Sequence, residues 1–231
     1  MATGYGVSPD WVTNTVEGRN HMANKGLVRD GLVLLLDAGA TDSYPGSGTT
    51  WYDLSGNNAH AEAVNLPTFN SDGPLSNFDF DGTDDEFQSV NISQEYRDIF
   101  TILKLESNSG LRMLFGKYDD QDDSIRFNNG SLRPAGDADI NDWQYQSESD
   151  IFIDGLFDQG GVSIYNNWAF VRSYRSNESG FGTSFRYEIS SDFVNSSRHF
   201  IGKVNFICCY NRKLSNSEVL KNYNALKPRL G

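Results

Sequence analysis

Ten short runs of strand character, separated by turn-forming residues at close spacing, constrain the fold of this chain more than any other feature. The first, GLVLLLDAG (31–39), is a continuous apolar run ended by Asp and Gly, the mark of a short strand buried on both faces. FDF (78–80), FQSVNI (87–92), FTILKL (100–105), RMLFGK (112–117), SIRF (124–127), SDIFI (149–153), WAFVRSYR (168–175), TSFRYEI (183–189) and FIGKVNFICCY (200–210) follow it. In TSFRYEI, Phe185, Tyr187 and Ile189 share one face, leaving Ser184, Arg186 and Glu188 to face water. SYPGSGTTWYDLSGNN (43–58) is turn chemistry throughout, with Trp51 and Leu54 as plugs into the core. Strands at this spacing with no helix between them predict an all-β, two-sheet antiparallel sandwich.

One helix is expected, at the end. Ser215 and Glu218 form a capping box, Val219, Leu220, Tyr223 and Leu226 an apolar stripe, and Pro228 a stop. Residues 1–28 lack the alternation of the rest. They read either as a loose tail or as an arm that orders on a partner, with Tyr5 and Trp11 as its anchors. Residues 29–231 form the sandwich domain on this reading.

Acidic side chains outnumber basic ones 31 to 19, for a formal net charge of -12. Such a polyanion has no long-range attraction for nucleic acid or anionic lipid, so neither is an expected partner. No apolar stretch approaches the ~20 residues of a membrane span, and the start, MATGYGVSPDW, does not read as a signal peptide. Cys208 and Cys209 are adjacent on a strand, so their side chains face opposite ways and are expected to stay reduced and buried.

Three acidic clusters invite chemistry. In FDFDGTDDEF (78–87), Asp79 and Asp81 alternate with Phe78 and Phe80 before a turn carrying Asp84 and Asp85. The spacing is too short for an EF-hand and sits between strands, so a structural turn is the first reading and a calcium site at the rim the second. Asp119, Asp120, Asp122 and Asp123 crowd one stretch that reads as a solvated loop and is the better metal candidate. Glu148, Asp150 and Asp154 share one strand face, but the last acid and its spacing do not suit paired-carboxylate glycoside hydrolysis. The chain therefore reads as non-enzymatic.

GLVLLLDAGATDSYPGSGTTWYDLSGN (31–57), FDGTDD (80–85) and FIGKVNFICCYNRKLSNSEVLKNYNALKPRLG (200–231) together resemble the concanavalin A-like, laminin-G-like lectin/glucanase domains. The match is nearest to those in structural proteins of tailed bacteriophages, marine and cyanobacterial ones above all. The resemblance covers about residues 27–231, with Trp168-Ala-Phe-Val171 as its central tryptophan strand. It departs from the pattern at Glu86 and at Cys208-Cys209. It implies a jelly-roll sandwich and a virion structural protein on the particle surface: a capsid decoration, vertex or fibre-type subunit made in the bacterial host cytoplasm. Other virion proteins and further copies of the chain are the implied partners. The alternative is an adhesin for host surface glycans, with Tyr118, Trp143, Tyr145 and Tyr165 as loop-placed aromatics for stacking. No cofactor is required, with Ca2+ the one candidate.

Overall fold

In a strand that packs on both faces every side chain must be apolar or paired, and β1 (Leu32–Asp37) is buried at all six positions. A computed structural model describes residues 26–89, 96–107, 109–117, 120–129, 131–133, 149–153, 156–158, 168–174, 186–190 and 198–230. The strands make two antiparallel sheets. The eight-stranded sheet runs β12 (Leu156–Asp158), β11 (Ser149–Ile153), β13 (Trp168–Tyr174), β7 (Asp98–Leu105), β15 (Ile201–Tyr210), β5 (Asn77–Asp81) and β4 (Thr68–Asn70), with β1 also on β15. The seven-stranded sheet runs β10 (Ser131–Arg133), β9 (Asp120–Asn128), β8 (Leu111–Lys117), β14 (Tyr187–Ile189), β6 (Glu86–Ser89), β3 (Ala61–Asn65) and β2 (Thr50–Trp51). The two-sheet antiparallel sandwich expected from the strand pattern is what the chain forms.

Two cores result. Between the sheets, Trp51, Phe78 and Phe87 meet with ring centroids 4.8–5.7 Å apart, and Tyr44 closes on Phe78 at 4.7 Å. Trp51 is the buried plug its sequence context predicts, while Leu54 packs partly buried on the second core. That core lies between the outer face of the eight-stranded sheet and α1 (Asn216–Leu226). The two cysteines divide between them: Cys209 belongs to the inter-sheet core, Cys208 to the helix side, and both are free thiols. Burial pushes the Cys208 thiol far above its ordinary range, so it is a packing residue without nucleophilic character.

The capping box forms as expected. The Ser215 hydroxyl accepts from the Glu218 backbone N–H, and Glu218 accepts from the Ser215 N–H at 2.9 Å. Arg212 first, then the Ser215 donors, hold the Glu218 carboxyl down at about 2. Leu27 and Val28, counted with the arm on sequence grounds, are buried against this helix. The Val28 N–H donates to Asn222 Oδ1 at 2.9 Å, and the Tyr210 hydroxyl donates to the Val28 carbonyl at 3.0 Å. No described helix is long and apolar enough to cross a membrane.

Candidate functional site

Alternation decides what the outer face of the seven-stranded sheet presents. Trp51, Ala61, Phe87, Tyr187 and Ile189 point into the core, so Thr50, Tyr52, Glu62, Glu86, Gln88 and Glu188 point away from it. The register puts Thr50 opposite Glu62, Glu62 opposite Gln88, and Gln88 opposite Glu188, a polar row across four strands. The Thr50 hydroxyl donates to Glu62 Oε1 at 2.8 Å. Gln88 stands between Glu86 and Arg186, donating to the first through Nε2 and accepting from the guanidinium of the second. The guanidinium also donates to the Ser89 carbonyl at 3.2 Å.

The face is open at one end and closed at the other. Glu62 and Tyr52 are exposed, Tyr52 at 42%. Glu188 is 2% exposed, and Glu86 is buried too. This corrects the expectation that Glu188 faces water: its side of the strand is polar but recessed.

Tyr52 stands edge-on to His60 with centroids 5.3 Å apart, at the open end. Asp53 builds that loop. Its carboxylate, 7% exposed, accepts from Leu35 N–H (2.9 Å), Ser55 N–H (2.8 Å), Ser55 Oγ (2.7 Å) and Ala59 N–H (3.1 Å). The Asp53 N–H donates to His60 Nδ1 at 3.0 Å, so the proton of the neutral imidazole sits on Nε2. Tyr52, Asp53 and His60 were not among the residues expected from sequence to form a site. The signal was present: with Trp51 inward, its neighbour Tyr52, just past the end of β2, faces out.

The rim beside this face carries the acidic turn. Asp81, Asp84 and Asp85 each bring a carboxylate oxygen to within 4.8 Å of the others. Asp85 Oδ2 accepts from Asp81 N–H at 2.9 Å, and Asp81 Oδ1 from Thr83 N–H at 2.7 Å. Partial burial, then the negative Asp81 and Asp84, hold the Asp85 carboxyl above its ordinary range against that backbone donor. Gly82 makes the turn at φ +81°, where a Cβ would lie 2.2 Å from Ile201 Cγ1. Asp79 is occupied elsewhere, 2.7 Å from Lys203 Nζ. Three hard oxygens on one turn are the donor type calcium takes, though fewer than its usual 6–8.

The second acidic cluster differs from its sequence reading. Asp120, Asp122 and Asp123 belong to strand β9, where Asp120 pairs with Lys117, and do not form a loop. Pairing across a two-residue connection overrides the polar composition there. Asp119, Tyr5, Trp11, Tyr118, Trp143, Tyr145 and Tyr165 lie outside the described residues. Of the three acids weighed for hydrolysis, only Asp150 lies within them, on β11 opposite Arg172.

No protein-family model and no curated protein matches the sequence. Solved structures do match the fold. A Trypanosoma rangeli sialidase, in complex with 2,3-difluorosialic acid as a covalent intermediate, matches over 87% of this chain at 14% identity and a TM-score of 0.53. Domain 4 of a GH43 extracellular arabinanase from Geobacillus stearothermophilus, in complex with arabinotriose, matches over 83% of this chain and 97% of its own. Its identity is 12% and its TM-score 0.54. The receptor-binding domain of botulinum neurotoxin type G matches over 84% of this chain and 51% of its own, at 11% identity and a TM-score of 0.50. This chain spans about a third of the sialidase's length. At these identities the likeness is one of fold alone.

One expectation is corrected by these neighbours. The reading that the chain is not an enzyme does not stand, because sandwiches of this shape occur in chains that are enzymes. A mismatch to one carboxylate spacing excludes one arrangement of catalytic acids, not catalysis.

Proposed function

We propose that this chain is a glycan-binding β-sandwich, with the outer face of the seven-stranded sheet as its recognition surface. The observation that carries the reading is exposed Tyr52, set against half-buried His60, beside Thr50, Glu62 and Gln88 on one face. An aromatic face stacks on the apolar side of a sugar ring, and flanking oxygens and N–H groups bond its hydroxyls. Two of the fold neighbours bear saccharides, arabinotriose in one and a sialic acid derivative in the other, which supports the class without naming the ligand. Calcium's place in this reading is the Asp81–Asp84–Asp85 rim.

A glycan array, probed with and without Ca2+, tests the reading. Tyr52→Ala should weaken a positive signal about tenfold, the loss of roughly one aromatic contact, with the melting temperature unchanged. Signals that ignore Tyr52 would move the site elsewhere, and an empty array in both conditions would end the proposal. Reducing ends released in the same incubations report cleavage.

The setting we assign is the outside of a tailed-phage particle, as a capsid decoration, vertex or fibre-type subunit made in the host cytoplasm. Host surface glycans are its target; other virion proteins and copies of itself are its neighbours. The end motifs YPGSGTTWYDLSG and YNRKLSNSEVLKNY support this, as does the net charge of -12, which suits crowding. Residues 1–25, with Tyr5 and Trp11, are then the docking arm. Removing residues 2–25 should abolish incorporation into particles while leaving the sandwich folded; unchanged incorporation would refute the arm.

A further inference from the structure

We infer that the sandwich edge where β3 crosses to β4 and β5 crosses to β6 docks a protein segment bearing both apolar and basic side chains. This surface lies past Glu62 on β3, and its role does not depend on the glycan reading.

Two short links pass between the sheets at this edge. Leu66 and Pro67 join β3 to β4, and residues 82–85 join β5 to β6. Asn65 Nδ2 donates to the Asp84 carbonyl at 3.0 Å, so the links lie side by side. Among the described residues four large apolar side chains are exposed, and two of them stand here, Val64 at 54% and Leu66 at 45%. The local backbone puts them outside. Pairing jumps from Ala63 opposite Phe87 to Asn65 opposite Glu86, which leaves Val64 as the extra residue of a bulge. Ala63 packs on the inter-sheet core, while Val64 faces out. Pro67, itself buried, disfavours helical backbone at Leu66 and so limits where its side chain can point. Two apolar neighbours held outward, with polar groups at their rim, mark a contact surface.

Charge selects the occupant. Asp81 and Asp84 are exposed on the second link and Asp85 is half-buried, and none of the three has a cationic partner among the described residues. The chain from 31 to 96, which supplies both links, holds eleven acids and no Lys or Arg. Of the cations that other strands bring to this stretch, Lys203 is bonded to Asp79 at 2.7 Å and Arg186 to Gln88. A second copy of the chain would set the same carboxylates against these, which like-charge repulsion opposes. A partner whose ammonium or guanidinium groups meet Asp81, Asp84 and Asp85 while its apolar side chains cover Val64 and Leu66 satisfies both halves of the surface.

The probes are eight-residue labelled peptides alternating Lys with Leu, Lys with Ser, or Glu with Leu, titrated with the full chain and read by fluorescence anisotropy. The Lys–Leu peptide should bind about tenfold tighter than the Lys–Ser one, and the Glu–Leu peptide should not bind. Asp84→Lys, and separately Val64→Ser combined with Leu66→Ser, should each weaken the Lys–Leu peptide about tenfold. Their melting temperatures should hold, because all three side chains are exposed. Tyr52→Ala should leave peptide binding unchanged. Equal binding of the two Lys peptides, or binding that ignores either set of changes, would mean that net charge alone attracts them and would overturn the inference. So would no binding at all, or a loss confined to Tyr52→Ala, which would place the contact on the glycan face.

Discussion

Asp98→Ala is expected to lower stability by about 3–5 kcal/mol, a large part of the roughly 5–15 kcal/mol that holds a domain folded. The Asp98 carboxylate is fully buried on the outer face of the eight-stranded sheet. It accepts from Arg172 Nε at 2.8 Å, Arg172 Nη2 at 2.7 Å and the Leu214 backbone N–H at 2.8 Å. Arg172 is itself 1% exposed and lies over the Phe100 ring. Truncating Asp98 takes the carboxylate from a buried guanidinium, which keeps its bond to the Leu214 carbonyl at 3.2 Å, and takes the acceptor from the N–H that holds the segment leading into α1. Urea denaturation measures the loss. The paired change Asp98→Leu with Arg172→Met should cost less than Asp98→Ala alone, since it buries no lone charge. A loss below about 1 kcal/mol for Asp98→Ala, the value of an exposed pair, would mean that water reaches the site.

Gly202→Ala should be nearly as damaging, by a different route. Gly202 sits early in β15 with φ +145°, paired with Phe80 on one side and Leu105 on the other. A Cβ there would lie 2.2 Å from the Lys104 carbonyl oxygen and 3.0 Å from the Glu106 N–H nitrogen. Both are backbone atoms, so relief requires the β7 end to move away from β15. A cost of about 3 kcal/mol, overpacking added to a strained dihedral, is expected. At Gly82 the obstacle is the Ile201 side chain, so Gly82→Ala should cost less. Thermal melts of the two variants rank them; equal losses would show that β7 yields as easily as a side chain.

Much of the fold is legible one strand at a time. FDFDG reads as a strand with Phe78 and Phe80 inward because side chains alternate, and both rings are buried. The same rule sends Cys208 and Cys209 into different cores. The capping box is legible because its partners are three residues apart. Elements β2, β4, β10 and β12 are two or three residues long and show no period of their own. Only their neighbours make them strands.

The site was less legible. SYPGSGTTWYDLSGNN announces turns, but nothing in it says that Asp53 gathers four donors from residues 35 to 59 and so sets Tyr52 beside His60. Glu188 reads as a surface residue, and its burial depends on what surrounds it in space.

Sequence by itself determined the class of fold, the inward and outward faces of its strands, the helix with its cap, and the net acidity of the chain. Each of these follows from interactions between residues a few positions apart, or from composition. Only the tertiary structure decided that Asp98 meets Arg172, that Asp37 meets Arg229 192 residues later at 2.6 Å, and that Thr50, Glu62, Gln88 and Glu188 form one row. Those pairings are set by which strands lie side by side, and local periodicity has no term for that.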